Sequence, residues 1–138
     1  MEIKNNDDGN KKKILIIDDE VDITFTFKVS LEDTGLFTVD TFNDPQDMLF
    51  NFKPSMYDLL LIDTRMPTMS GYELYKEIRK IDAEIKVIFV TASPFEVLQV
   101  IFPTFDKNYY VLKPVEVNEL IKKINSIIAT KDPLEKTG

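Results

Sequence analysis

Short, unbroken apolar runs separated by segments of helical period dominate this sequence and limit the folds open to it. Ile14-Leu15-Ile16-Ile17, Leu59-Leu60-Leu61-Ile62 and Val87-Ile88-Phe89-Val90 are apolar at every position. A strand with one face in water alternates apolar and polar residues, whereas a strand covered on both faces does not need to. Phe37 to Phe42 alternates and reads as a further strand, and Tyr109 to Leu112 as a fifth. Between the strands, Ile23, Phe27 and Leu31 recur every four residues, with Gly35 fitting the stop. Asp44 and Pro45 suit the N-cap and first position of a second helix, whose apolar face is Met48, Leu49 and Phe52. Leu74, Ile78 and Ile81 mark a third helix, and Val117, Leu120, Ile121, Ile124, Ile127 and Ile128 a strongly amphipathic last one. The window from Phe95 to Phe102 is apolar around most of its circumference, so periodicity alone also allows a strand. The crossover needed between two parallel strands decides for a helix. The expectation is an α/β domain, a doubly wound five-stranded parallel sheet with five helices.

At 138 residues the chain has room for one domain. The domain is expected over 12–130, with a polar, flexible tail at 1–11 and a second tail or linker start at 131–138. The chain contains no Cys and no His, which excludes disulfides, thiolate nucleophiles and imidazole acid–base chemistry. The net charge of −7 has the wrong sign for a binder of phosphate backbones, so no direct nucleic-acid partner is expected. No apolar stretch reads as an export signal or a spanning helix, so a cytoplasmic protein without membrane insertion is expected.

The chemistry sits where strands end. Asp18 and Asp19 follow the first strand, Asp63 the third, Thr91 the fourth and Lys113 the fifth. Ligands of open parallel sheets bind outside the carboxyl ends of the strands, where strand order reverses. If those strands are neighbours, three carboxylates, a hydroxyl and an ammonium converge on one pocket. Crowded carboxylates repel unless a cation joins them, and a hard divalent ion such as Mg²⁺ fits oxygen ligands. Lys113 suits an anion as a point charge. The set points to Mg²⁺-assisted phosphoryl chemistry with a carboxylate as nucleophile. Taken singly, each residue has an ordinary explanation: the aspartates and Thr91 as helix caps, Lys113 as a solvated lysine.

The set Asp18-Asp19, Asp63, Thr91 and Lys113-Pro114, with the run Asp63-Thr64-Arg65-Met66-Pro67-Thr68-Met69-Ser70-Gly71, resembles the receiver domain of two-component response regulators. The resemblance covers about residues 12 to 130. It implies a flavodoxin-like fold with strand order 2-1-3-4-5. It makes Asp63 the phosphoacceptor, and Asp18, Asp19, Asp63 and the backbone carbonyl of Arg65 the Mg²⁺ ligands, Asp18 partly through water. Thr91 and Lys113 would each hold a phosphoryl oxygen, and Tyr110 would turn inward with Thr91 as the switch. A cis Lys113–Pro114 bond is expected. The donor would be a phosphohistidine of a partner histidine kinase or phosphotransfer protein, since this chain has no His. Such a chain is an acceptor that promotes its own phosphorylation and dephosphorylation, and not an enzyme with an external substrate. Its output would pass through the face of helix four, strand five and helix five to a downstream protein or to an output domain beyond Lys131-Asp132-Pro133.

Three features depart from the family. The loop Pro103-Thr104-Phe105-Asp106-Lys107-Asn108 replaces a segment usually rich in Gly or Ala. Helix four is unusually apolar, which means either a better-buried helix or an interaction patch, for a homodimer or another partner. Arg65, two positions past the acceptor, is expected to slow self-dephosphorylation. Two rivals stay open: a receiver-like adaptor that is never phosphorylated, and a Mg²⁺ phosphohydrolase with an Asp nucleophile. The second lacks the acid it would normally carry at position 65.

Overall fold

The structure, a computed structural model, describes residues 11–130. The tails expected at 1–11 and 131–138 therefore lie outside the described residues, apart from Lys11. Five strands and five helices alternate: β1 (Lys12–Ile17), α1 (Val21–Asp33), β2 (Phe37–Phe42), α2 (Pro45–Asn51), β3 (Leu59–Ile62), α3 (Gly71–Ile81), β4 (Lys86–Thr91), α4 (Phe95–Ile101), β5 (Tyr110–Leu112) and α5 (Val117–Ile128). A 3₁₀ turn, Lys107–Tyr109, leads into β5, so Tyr109 belongs to the turn and not to the strand expected there. All neighbouring strands are parallel, in the order β2-β1-β3-β4-β5.

The unbroken apolar runs follow from this architecture. Successive side chains of a strand point to opposite faces. Leu15, Ile17, Leu60, Ile62, Val87 and Phe89 join Met48, Leu74, Tyr75, Ile78 and Leu98 in the core under α2, α3 and α4. Ile14, Ile16, Leu59, Leu61, Ile88 and Val90 join Leu31, Leu120, Ile124 and Ile127 in the second core, under α1 and α5. Both cores need every position of the central strands, so alternation is impossible there. Truncating one of these side chains to Ala costs about 2–5 kcal/mol.

Local chemistry sets the helix ends. The Asp44 carboxylate accepts the Asp47 N–H at 2.9 Å, with Pro45 at the first helical position, as expected. Ser70 and Glu73 form a reciprocal capping box at the start of α3. Gly35 adopts φ 79° just past the end of α1, a conformation open to a residue without Cβ. Lys86 donates to the carbonyl oxygens of Ile128 (2.7 Å) and Thr130, placing a cation at the negative end of α5.

Three expectations are corrected. Ile23 and Phe27 are only half-buried, Phe27 still packing against the second core, and α1 buries Thr24 beside the expected Leu31. Thr24 is satisfied inside because its hydroxyl donates to the Val21 carbonyl (3.1 Å) and accepts from Asn43 (3.0 Å). Ile81, expected on the buried face of α3, is 42% exposed, since the helix reaches its C-cap at Asp82. In α4 only Leu98 is buried, while Val97, Val100 and Ile101 face solvent, so better burial does not explain its apolar composition.

Gly71 begins α3 against the backbone of the loop after β3. A Cβ there would sit 2.1 Å from the Asp63 carbonyl oxygen, which is backbone and cannot swing away. Gly71→Ala is therefore expected to lower stability by about 1–3 kcal/mol, measured by urea unfolding.

Candidate functional site

Strand order reverses at β1, whose neighbours are β2 and β3. The crevice that this reversal opens lies at the carboxyl ends of β1 and β3, where the chain places Asp18, Asp19 and Asp63. Carboxylate oxygens of all three lie within 4.8 Å of one another. Asp18 and Asp63 are buried, and Asp19 is exposed at the mouth. The Asp63 N–H donates to the Ile17 carbonyl (3.1 Å), which continues the β1–β3 ladder and holds the carboxyl in place. Asn43 donates to the Asp18 carbonyl (2.8 Å) and to Thr24, tying the loops after β1 and β2 together.

Lys113 arrives from β5, and its N–H bonds the Thr91 carbonyl at 2.8 Å. Its ammonium contacts Asp18 at 2.5 Å and lies 3.8 Å from Asp63. The lysine thus rests on Asp18, with Asp63 its more distant partner. The Lys113–Pro114 peptide bond is cis. One ammonium among three carboxylates leaves the cluster short of positive charge. The donor set, all hard oxygen and open to solvent through Asp19, fits Mg²⁺.

Burial pushes the Asp63 carboxyl above its ordinary range. The Asp18 charge adds to this, while Lys113, the Arg65 N–H and the Thr91 hydroxyl pull the other way. Arg65 is exposed and turns its N–H toward Asp63 at 3.4 Å. Thr91 is buried, accepts the Ser93 N–H at 3.1 Å and shares a hydrogen bond with the Thr64 hydroxyl at 2.8 Å. Tyr110 is half-buried, its ring against Phe95 and Phe105, and its hydroxyl donates to the Ser93 carbonyl at 2.5 Å. Ser93 thereby links Thr91 to Tyr110 through its own backbone. Beside the cluster, a cleft of about 660 Å³ opens between the β3–α3 loop and α4, with Asp19 and Thr64 at its polar end and Met66, Val97 and Ile101 among its apolar walls.

Of the seven residues singled out in the sequence, Asp18, Asp19, Asp63 and Lys113 meet at this crevice, Arg65 and Thr91 act on the Asp63 carboxyl, and Tyr110 is joined to Thr91 through Ser93. Sequence reading missed Thr64, Ser93, Asn43 and Phe105. Phe105 lies in the loop that departs from the family, yet it is buried and packs on Tyr72, Phe89, Phe95 and Tyr110. Its only signal was an aromatic among polar residues.

The chain matches the family model described as the response regulator receiver domain over residues 14–125. A probable transcriptional regulator, ycf27, of Guillardia theta is 32% identical over 118 residues, covering 86% of this chain and 46% of the relative. The transcriptional regulatory protein CpxR homolog of Haemophilus influenzae is 33% identical over 116 residues, covering 84% of this chain and 50% of the relative. Among solved structures, the response regulator TrrA of Thermotoga maritima, in complex with Mg²⁺–BeF, is 32% identical with a TM-score of 0.69, covering 84% of this chain and 98% of that one. A CheY-like receiver domain protein of Methanospirillum hungatei is 28% identical with a TM-score of 0.74, covering 93% and 99%. The chain belongs to the response regulator receiver domain family, with the flavodoxin-like fold of its CheY-like members. It spans about half the length of the curated relatives it matches. Among the described residues, no helix is long and apolar enough to cross a membrane.

A buried acid that ionises less readily in the fold than in the unfolded chain weakens the fold once it is charged. Its contribution is fully present below the unfolded value of 3.8 and is lost as pH rises through the higher folded value. In metal-free buffer, Asp63→Asn is therefore expected to raise Tm at neutral pH. The gain should vanish below pH 3.8, as read by thermal unfolding across pH.

Proposed function

We propose that this receiver domain is a phosphorylation-controlled signalling switch that accepts a phosphoryl group on Asp63. The observation that carries the reading is the gathering of the Asp18, Asp19 and Asp63 carboxylates within 4.8 Å, with the Lys113 ammonium against them. In this reading a carboxylate oxygen of Asp63 attacks the phosphorus of a phosphohistidine on a partner kinase or phosphotransfer protein. The P–N bond breaks, and its electron pair stays with the imidazole. Asp18, Asp19, Asp63 and the Arg65 carbonyl would hold Mg²⁺, which would supply neutralisation of the phosphoryl charge. Lys113 stands 3.8 Å from Asp63 and needs only a side-chain rotation to pair with the new phosphoryl group. Burial of Asp63 excludes water on most sides and favours transfer over hydrolysis. The exposed Arg65 side chain, which lines the cleft beside the cluster, slows attack by water in this reading.

Phosphorylation adds about −1.5 to −2 charges at Asp63. The Thr91 hydroxyl favours the charged form of Asp63, and its link through the Ser93 backbone carries any shift to the Tyr110 hydroxyl. The surface beyond Tyr110 is that of α4, β5 and α5, where Val97, Val100, Ile101 and Leu112 are exposed. This face suits a downstream protein, a second copy or an output domain, and the whole works inside the cell, where a kinase presents its phosphohistidine.

The phosphohydrolase reading is disfavoured by Arg65, a cation where an acid–base carboxylate would be needed. The adaptor reading leaves the buried acidic cluster without a purpose. Incubation with phosphoramidate or acetyl phosphate and Mg²⁺ is expected to add one phosphoryl group, read by intact-protein mass spectrometry, and Asp63→Asn is expected to add none. Absence of uptake from a small donor and from a phosphohistidine donor would favour the adaptor. Tyr110→Ala is expected to uncouple partner binding from phosphorylation while uptake continues, and partner binding that still follows phosphorylation would contradict the switch.

A further inference from the structure

Thr64 plays no part in the reading above, yet its hydroxyl is buried against that of Thr91, the hydroxyl donor of that reading. The strand register explains the meeting. Parallel β3 and β4 pair Ile62 with Phe89, so two residues further along each chain Thr64 comes beside Thr91. Their Oγ1 atoms are 2.8 Å apart, and the residues are 2% and 1% exposed, so water does not compete for either hydroxyl.

A hydroxyl carries one proton and two acceptor lone pairs. Thr91 Oγ1 already accepts the Ser93 N–H at 3.1 Å, which fills one lone pair. Its hydroxyl is among the groups that favour the ionised Asp63 carboxyl, which is acceptor-only in that state. If Thr91 gives its single proton to that carboxylate, the proton between the two threonines comes from Thr64 and fills the second lone pair. The opposite order, Thr91 donating to Thr64, leaves Asp63 without the hydroxyl donor. A charged acceptor favours the first order, since hydrogen bonds to ionised groups are about twice as strong as neutral ones.

We propose that Thr64 is a positioning residue for the acceptor: by donating to Thr91 it leaves the Thr91 proton one direction, toward the group on Asp63. The chain Thr64 O–H to Thr91 O–H to acceptor is polarised throughout and delivers an aimed donor to a phosphoryl oxygen with no rotor left to order. This rests on the acceptor reading above. Removing the Thr64 hydroxyl frees the Thr91 rotor and weakens the hold on the phosphoryl group without touching any metal ligand.

Isothermal titration of the full chain with beryllofluoride at saturating Mg²⁺ tests this. Thr64→Val and Thr64→Ala are each expected to bind about five- to tenfold more weakly than wild type, the effect of one oriented hydrogen bond. Thr64→Ser keeps the hydroxyl and is expected to bind within about twofold of wild type, a rescue that a packing role would not produce. In a Thr91→Ala background, Thr64→Val should change affinity by less than about twofold, because the hydroxyl it aims is gone. Wild-type affinity in Thr64→Val and Thr64→Ala, or an undiminished effect in the Thr91→Ala background, overturns the proposal and leaves the acceptor reading standing. A wild-type chain that does not bind beryllofluoride overturns both.

Discussion

Electrostatic crowding at the carboxyl edge of the sheet is the constraint on which the rest of the structure depends. Three carboxylates share a space spanned by 4.8 Å, two of them buried, with one ammonium beside them. Such an arrangement is unfavourable by itself: burial and the Asp18 charge both push Asp63 toward its neutral form. It persists because backbone bonds on every side hold it. Asp63 is held by the Ile17 carbonyl, Asp18 by Asn43, and Lys113 by the Thr91 carbonyl. A divalent cation bound among the three carboxylates would relieve crowding of this kind.

What surrounds it is connected through short range. Thr91 ends β4, Lys113 follows the neighbouring edge strand β5, and Ser93 joins Thr91 to the Tyr110 hydroxyl. Tyr110 packs on Phe95 of α4 and on Phe105, which fills the core beneath them. A change at Asp63 would therefore meet the exposed apolar surface of α4 after only a few contacts. The second core, under α1 and α5, lies on the opposite face of the sheet and shares none of these aromatic contacts.

The architecture was legible because burial on both faces leaves a direct mark on composition. Apolar runs such as Leu59–Ile62 have no other easy home, and the polar residue ending each run identified the crevice. The family resemblance then assigned roles that composition alone left open, with helix caps an equal explanation for each residue singly. Periodicity failed where a polar side chain found an internal partner. Thr24 is buried in α1 more fully than Ile23 or Phe27 because Asn43 and the Val21 carbonyl satisfy it, and no pattern in α1 announces a partner nineteen residues away. It failed again in α4, where apolar residues face solvent and burial is not their purpose. Thr64 was invisible for the same reason as Thr24: its meaning lies in the register of β3 against β4.

The central claim is that Asp18, Asp19 and Asp63 act as one divalent-cation site. Titration of the apo chain with Mg²⁺, followed by residue-resolved amide NMR, tests it most directly. The account predicts saturable shifts concentrated at the ends of β1 and β3 and in the loop after β4, abolished by Asp19→Asn. Weak, unsaturable shifts spread over the acidic surface, unchanged in Asp19→Asn, would contradict it.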